Sequence, residues 1–464
     1  MRALATLAVL AVVAWPAAAA NEPQPDPAAL AARVREEFLH AWNGYKKYAW
    51  GQDDLLPVSR AGRNWHAHTL YMTAVDALDT LILMGFDEEA EATRTFLVEN
   101  LSFDLDIEVK NFEITIRVLG GLLSSYQLTG DERLLALAED LGKRLLPVFE
   151  SPTGMPYMYV NLKTGKVREA ESNPAEIGTL ILEFGTLSRL TGNDVYFDKA
   201  KRALVALYER RARTGLVGQG IDVESGRWTD TASHIGGAID SYYEYLLKCE
   251  RLFADRECGA MWRTSIEAVE RHLADKGPGG NLWYGVANMT TGRRTATTYG
   301  ALQAFLPAVF ALGGDLRRAR RLQESGLRMW KLHGIEPEVL DYRTMEVVSP
   351  GYQLRPEIVE SAYVLNRLTG DKRYLEMGST FLDDLVRYCR TEAGYTSLKS
   401  VVTKEQGDYM HSFFLAETLK YLYLLFAPQA LDFESVVFNT EAHPLRATWC
   451  DQRSDTAGKI QFGK

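Results

Sequence analysis

The sequence predicts an all-α fold, a closed ring of paired inner and outer helices forming an (α/α)7 barrel with short β-hairpins in its connections. Three observations carry this. A related turn recurs as MGFD at Met84, LTGD at Leu128, LTGN at Leu190, LGGD at Leu312 and LTGD at Leu368. Its glycines Gly85, Gly130, Gly192, Gly313 and Gly370 are spaced 45, 62, 121 and 57 residues apart, and the longest step holds two units because DSYYEYLLKCERLF makes an unpunctuated turn between them. A period of about 60 residues with two helices per period signals a repeat architecture. The first helix of each unit (IRVLGGLLSSY, TLILEFGTL, LQAFLPAVFAL, FFLAETLKYLYLLF) is apolar nearly all round, as a helix buried on every side must be. The second (ERLLALAEDLGKRL, LRRARRLQESGLRMW) is charged on one face and so belongs outside.

Residues 1–20 have the pattern of a signal peptide: Arg2 as the charged end, Ala3 to Trp15 as the apolar region, Ala17 to Ala20 as the cleavage zone. The apolar run is short for a membrane span, Pro16 breaks it, and no later run is long enough to cross a bilayer. Residues 28–447 are expected as a single barrel domain and 448–464 as a C-terminal tail. The helix Ala28–Tyr48 is amphipathic, and the loop GQDDLLPVSR follows it. Inner helices are expected to begin near His66, Asn111, Pro174, Ile235, Thr298, Pro356 and Tyr409. The seventh has no outer partner after it and Ala28–Tyr48 has no inner partner before it, so the two should pair and close the ring. Pro356 suits a helix's first turn, and Gly370 is a C-terminal stop signal.

Connections from inner to outer helices are short. Those from outer to inner are long and hairpin-like: GMPYMYVNLKTGKV, GIDVESGRWTD, LWYGVANMTTGRRT, VLDYRTMEVVS. Long loops gathered on one face of a rigid scaffold are the usual place for a site. Composition narrows its nature. With 46% hydrophobic residues and net charge −9, the chain can bury a large core and offers no broad nucleic-acid footprint. Cys249, Cys258, Cys389 and Cys450 are too few for a disulfide scaffold, allow three full pairings that the sequence does not separate, and include no Cys-x-x-Cys.

Acids stand at the front of four apolar inner helices. Glu113 has Arg117 one turn later, Glu176 opens NPAEIGTL, Asp240 has Glu244 one turn later, and Glu357 and Glu360 share the first turn after Pro356. Any one of them is explained by the helix macrodipole, which favours anions at N-termini. Four together, on helices whose starts face a cavity rather than water, are costly unless used. With Tyr242, Tyr243, Trp283, Tyr299 and Tyr352 they suggest carbohydrate chemistry, in which one carboxylic acid protonates a leaving oxygen and one carboxylate activates water or attacks.

DDLLPVSR, VDALDTL, FEITIRVLGGLLSSY, DSYYEYLLK, LRPEIVES, SFFLAETLKYLYLLF and FNTEAHP resemble, in order from about Ala41 to Pro444, glycoside hydrolase family 47, the class I α-1,2-mannosidases. The resemblance implies a seven-pair α/α barrel plugged by a C-terminal hairpin, and a calcium-dependent, inverting exo-mannosidase. By it Glu113 matches the general acid, Glu357 the general base and Asp240 a third essential carboxylate. Arg117, Arg355 and Glu360 match residues that bind sugar or metal-bound water, and Glu176 joins them as a substrate-binding candidate. Thr440 would give calcium its carbonyl and hydroxyl oxygens, and Glu441 would hold the waters. Calcium suits such a site, since it takes many oxygen ligands and tolerates water. The partner implied is a mannose-containing glycan, met by a monomer in an exported or secretory-lumen setting, with neither nucleic acid nor, after signal cleavage, membrane.

The resemblance is incomplete at four positions. His411 stands where many relatives carry a glutamate, removing one anion from the metal's outer shell. Ala238 stands where the endoplasmic-reticulum enzymes carry an arginine, which implies a more open aglycone side. Ala301 and Ala304 replace a histidine and a cysteine, so the usual family disulfide is not expected. His66 and His68 read as surface or packing residues, and His443 as fixing a hairpin turn. Asn100 and Asn288 head glycosylation sequons. The rival readings are a mannose-binding lectin-like or glycoprotein-quality-control member of the same barrel family, and another inverting α/α-barrel glycosidase. The first is opposed by the intact Glu113, Asp240 and Glu357, the second by FNTEAHP.

Overall fold

The structure is a computed structural model that describes residues 26–447; the expected signal peptide, the expected tail and Cys450 lie outside the described residues. Inner helices Met72–Leu83, 111–129, 174–191 (interrupted at Thr179 and Leu180), Asp240–Phe253, 301–312, Glu357–Thr369 and 414–426 each touch the next, and the last returns to the first. Each of the first six is followed by an outer helix packed on it: Asp87–Asn100, Glu132–Leu145, Val195–Glu209, Arg256–His272, Leu316–His333 and Arg373–Cys389. The helix Pro27–Tyr48 packs on Leu419–Phe426 and closes the ring, giving the expected (α/α)7 barrel. No helix of the described residues is long and apolar enough to cross a membrane.

The recurrent turn has one geometry. Gly85, Gly130, Gly192 and Gly370 take φ of 69, 73, 72 and 65°, the left-handed region that glycine enters without steric cost. In LGGD it is Gly314, at φ 90°, that takes the positive angle and not Gly313. In the unpunctuated unit Ala254 does the same at φ 56°. Behind these turns Asp131, Asp255 and Asp315 cap the outer helices, their carboxylates accepting the N–H groups of Arg133, Cys258 and Arg318 at 3.1, 2.9 and 3.0 Å. Cys249 and Cys258 form a disulfide across the Ala254 turn, one of the pairings left open by the sequence, and Cys389 is buried and free.

Several inner helices start later than the apolar runs suggest. The first starts at Met72 rather than near His66, because the Asp53 carboxylate gathers the N–H groups of Trp65, Leu70 and Met72 at 2.9, 2.9 and 3.2 Å and holds the intervening chain as a loop. The fourth starts at Asp240 rather than near Ile235, after Gly236, Gly237 and a left-handed Ala238 at φ 76°. Thr298–Gly300 is a strand paired with Val339–Asp341, so the fifth starts at Ala301. The seventh begins with Phe414 rather than near Tyr409. The expected hairpins are present, with Tyr159–Asn161 on Val167–Arg168, Gly220–Asp222 on Trp228–Asp230, Val286–Asn288 on Arg294–Ala296 and Val339–Asp341 on Glu346–Ser349.

A final hairpin, Val436–Phe438 paired with Pro444–Arg446, brings its turn into the ring. Lys420 Nζ lies 2.7 Å from Asp79 Oδ1, His443 Nδ1 2.7 Å from Asp79 Oδ2 and His443 Nε2 3.4 Å from Asp76 Oδ1, all with fully buried side chains. Burial disfavours the charged imidazole, but Asp79 and Asp76 outweigh it and hold His443 up to about 9. Burial likewise opposes the Asp79 carboxylate, yet Lys420 and His443 bring it down to about 2. The two displacements describe one interaction and do not add. For His443, held above its ordinary 6.5, the stabilisation is complete below that pH and is lost as pH rises through about 9. For Asp79 it is present above the ordinary 3.8 and is lost as pH falls through about 2. His443→Gln is therefore expected to lower unfolding free energy by about 3 kcal/mol near pH 6, as breaking a buried pair does. It should also flatten the wild-type decline between about pH 6.5 and 9; urea unfolding at both ends of that window tests it, and an undiminished decline in the variant would assign it elsewhere.

Candidate active site

At the end of the barrel where the inner helices begin lies a cavity of about 360 Å³. Its lining includes Glu113, Arg117, Glu176, Asp240, Glu244, Arg355, Glu357, Glu360, Thr440 and Glu441, so the acids, the arginines and the threonine expected at the site all meet there. The acids converge because a helix's first turn carries them, and each first turn ends in the same mouth.

The second inner helix passes through a π turn at Thr115–Leu119, and the seventh through another at Phe414–Thr418. Such turns shift the helical register and are frequent at functional sites. Each sets a charged side chain on the cavity, Arg117 and Glu417. Arg117 Nε lies 3.1 Å and Nη2 3.0 Å from Glu113 Oε2, Nη1 is paired with Glu441 and lies 3.7 Å from Asp76 Oδ2. Its plane rests 5.6 Å from the Trp65 ring centre and 5.7 Å from that of Phe413. One guanidinium thus joins two inner helices to the hairpin, a task suited to its fixed fork of donors.

Arg355 follows a left-handed Leu354 at φ 62° and grips Glu338, with Nε 3.1 Å from Oε1 and Nη2 2.9 Å from Oε2. Glu357 comes next in the wall. Burial pushes its carboxyl up to about 7 against the pull of Arg355, and its Oε2 has no hydrogen-bond partner. Asp240 accepts the Ser241 N–H at 2.8 Å, and burial raises it to about 6. One turn on, Glu244 pairs with Lys248, whose Nζ is 3.6 Å from Glu360 Oε1. Burial takes Glu360 to about 8, with Lys248 opposing and Glu244 and Glu357 reinforcing it. Glu176, its N–H capped by Asn173 Oδ1 at 3.0 Å, is 2.6 Å from Lys110 Nζ and is raised by burial to about 7. Glu441 is raised by burial to about 8 despite Arg117.

Glu417, Glu338, Lys248 and Lys110 were not singled out from the sequence. Glu417 is buried on the cavity wall and is held well above the carboxylate range by burial, then by Glu441 and Glu357. Its signal was present as an acid in the interior of the most apolar helix. Lys248 is four residues after Glu244, an i, i+4 pair within one apolar helix.

The aromatic expectation is corrected. Tyr242, Tyr243, Trp283, Tyr299 and Tyr352 are fully buried in the core and line no part of the cavity. They pack on one another and on the outer ring, Trp283 on Tyr299 at 5.0 Å and Tyr352 on Trp330 at 5.9 Å; Tyr242, two residues after Asp240, points about 200° round the helix from it. The aromatic rings in the cavity are those of Phe112, Phe305 and Phe413. His66 and His68 lie outside it. His411 is stacked on Phe413 at 4.7 Å with Nε2 3.2 Å from Gln353 Oε1. Burial and the arginines Arg355, Arg117 and Arg63 push it down to about 2, so it is neutral. Among the described residues, the His, Cys, Asp and Glu cluster with metal-like spacing is Cys249, Asp255 and Cys258, whose sulfurs are joined to each other.

The family model for glycosyl hydrolase family 47 matches residues 37–447. Alpha-mannosidase I MNS5 of Arabidopsis thaliana is 37% identical over 91% of this chain and 78% of its own length. ER degradation-enhancing alpha-mannosidase-like protein 2 of Mus musculus is 38% identical over 91% of this chain and 78% of its own. An alpha-1,2-mannosidase from Trichoderma reesei superposes with a TM-score of 0.84 at 29% identity, over 92% of this chain and all of that one. The chain belongs to glycosyl hydrolase family 47 and is a glycoside hydrolase of that family.

Proposed function

We propose that the protein is an inverting exo-α-1,2-mannosidase that removes terminal α-1,2-linked mannose from high-mannose glycans and cleaves the free disaccharide. The observation that carries this is the meeting of Glu113, Asp240 and Glu357 with the Thr440–Glu441 turn in one cavity. Glu113 donates a proton to the glycosidic oxygen as the C1–O bond breaks. Glu357 takes a proton from a water that attacks C1 from the opposite face, so mannose leaves as the β anomer. A carboxyl poised near neutrality suits that base, and burial supplies the displacement. Asp240 adds negative charge beside Glu357, and Arg355, fixed by Glu338, faces both. Relatives carry names of mannosidases, one of them an endoplasmic reticulum mannosyl-oligosaccharide 1,2-alpha-mannosidase, and the lumen of a secretory route, or export, is the setting proposed here.

Calcium belongs to the same reading. The polar lining is rich in oxygen: Thr440, with its hydroxyl and carbonyl, shares the cavity with Glu417, Glu441 and Glu360, and neither thiol nor imidazole is among the lining residues. That donor set suits a hard cation, and the crowded carboxyls of Glu360 and Glu417 would gain from a positive charge between them. Thr440 would hold the ion, with water and sugar hydroxyls completing its shell. When bound, calcium would supply a Lewis-acidic anchor for a vicinal diol and so orient the ring.

Proton NMR of α-1,2-mannobiose hydrolysis, with and without chelator, should give β-mannose as the first product and no turnover after exhaustive chelation. First appearance of α-mannose would remove Glu357 from the role of base, and full activity after chelation would remove calcium.

Glu357 also ties activity to stability. Its carboxyl is held at about 7 against an ordinary 4.5, so the folded state loses stability as pH rises through that interval. Glu357→Gln should abolish turnover while raising unfolding free energy at pH 8 by about 1–3 kcal/mol, at 1.4 kcal/mol per unit discounted for the open mouth. The gain should vanish near pH 4.5, and wild-type kcat/KM should fall as pH drops below about 7. An equal gain at both pH values would show a packing effect instead.

Ala238 sits in the cavity wall with its carbonyl accepting the Ala175 N–H at 2.9 Å. An alanine makes none of the directional bonds to aglycone hydroxyls that a guanidinium makes, and selectivity is a difference between competing substrates. Several α-1,2 mannoses of a high-mannose glycan are therefore expected to leave at comparable rates, and Ala238→Arg to slow some branches more than others. An isomer-resolved time course in which the wild type releases a single mannose from one branch would contradict the open site.

A further inference from the structure

Thr440 sits at the tip of a turn held from below by a chain of buried side chains that touches neither cavity nor solvent. Tyr245, on the fourth inner helix, accepts the Thr440 N–H at 3.2 Å through its hydroxyl oxygen and donates its own proton to Glu183 Oε1 at 2.6 Å. The same Glu183 oxygen accepts from Asn439 Nδ2 at 2.8 Å, and Asn439 Oδ1 accepts the N–H groups of Glu441 and His443 at 2.9 and 2.8 Å. Glu183, Tyr245 and Asn439 are all fully buried. One carboxylate oxygen of the third inner helix therefore fixes the chain on both sides of Thr440.

We infer that Glu183 and Tyr245 are positioning residues for cation binding, setting the orientation in which Thr440 presents its hydroxyl and carbonyl oxygens. This rests on the reading of Thr440 as the calcium ligand. The hairpin does not depend on them for attachment. Asn439 Nδ2 also donates to Ile116 O at 2.9 Å, Lys420 Nζ donates to Ala442 O at 2.7 Å, and His443 is paired with Asp79. Removing the Tyr245 hydroxyl thus frees the Thr440 N–H to turn while the plug stays seated. Groups that orient a metal ligand from behind commonly govern affinity by 10- to 100-fold.

The test is calcium titration by calorimetry on the full chain, alongside thermal unfolding of the calcium-free protein. Tyr245→Phe and Glu183→Leu are expected to raise the calcium dissociation constant about 10-fold or more. Glu183→Gln, whose amide oxygen accepts from the same two donors, should bind nearly as wild type does. Tyr196→Phe, which removes a buried, unpartnered hydroxyl from an outer helix, should leave affinity unchanged. Should Tyr245→Phe fail to fold, the contrast between the two Glu183 variants carries the test. Wild-type affinity in Tyr245→Phe, or an equal loss in both Glu183 variants, would overturn the inference alone. A wild-type protein that binds no calcium would overturn the reading of Thr440 and this inference with it.

Discussion

A positive charge fully enclosed by protein is tolerated only where anions surround it, and here that constraint ties the first inner helix to the last and to the final hairpin. Lys420, on the last inner helix, and His443, on the final hairpin, share Asp79 of the first inner helix. Asp76, one turn earlier, faces His443 on one side and Arg117 on the other. Arg117 then reaches Glu113 and Glu441. A continuous line of alternating charge runs from the barrel's core to its mouth. Because breaking a buried pair costs far more than an exposed one, the hairpin has one seated position, and the groups it carries have one place in the cavity.

The same arrangement sets the electrostatics of the mouth. Glu357, Glu360, Glu417 and Glu441 are all displaced upward, chiefly by burial and then by each other. Arg117, Arg355 and Lys248 offset part of this but are already engaged by Glu441, Glu338 and Glu244. A cavity with surplus carboxylate and oxygen donors is unstable by itself and suited to a partner that brings positive charge or hydroxyls. Stability lost at the mouth is recovered in the fully buried aromatic and aliphatic core, where Trp42, Trp283 and Trp330 are the largest fully buried side chains.

The ring was legible because a repeat repeats its punctuation. Five glycine turns and the alternation of apolar with one-sided helices were enough to order seven pairs, and the closing pair followed from what remained. Register within a unit was less legible. LGGD offers two glycines and composition does not say which turns left, and Ala254 performs the turn with no signal at all. Helix starts were misplaced where side chains far away in sequence dictate them, as Asp53 does for Met72. The acids at helix fronts were readable singly, since N-terminal position is local. Tyr243 was not, because it lies only about 60° round the helix from Asp240, and whether it faces cavity or core is decided by the neighbouring helix. Glu417 escaped for a related reason: a π turn moves it onto the cavity wall, and nothing local announces a π turn.

That dependence on distant parts has a consequence for order of assembly. Four inner helices contribute their front acids locally, but Arg117, already beside Glu113, gains Glu441 from a segment 324 residues later. Thr440 reaches the mouth only when Asn439 has found Ile116 and Glu183. Contacts of such separation close late, after local helix pairs have formed and the loop entropy between them has been lost. Glu441, carried on that hairpin, adds to the upward displacement of Glu417, so part of the electrostatics of the mouth comes from a segment remote in sequence from the helices whose acids form it.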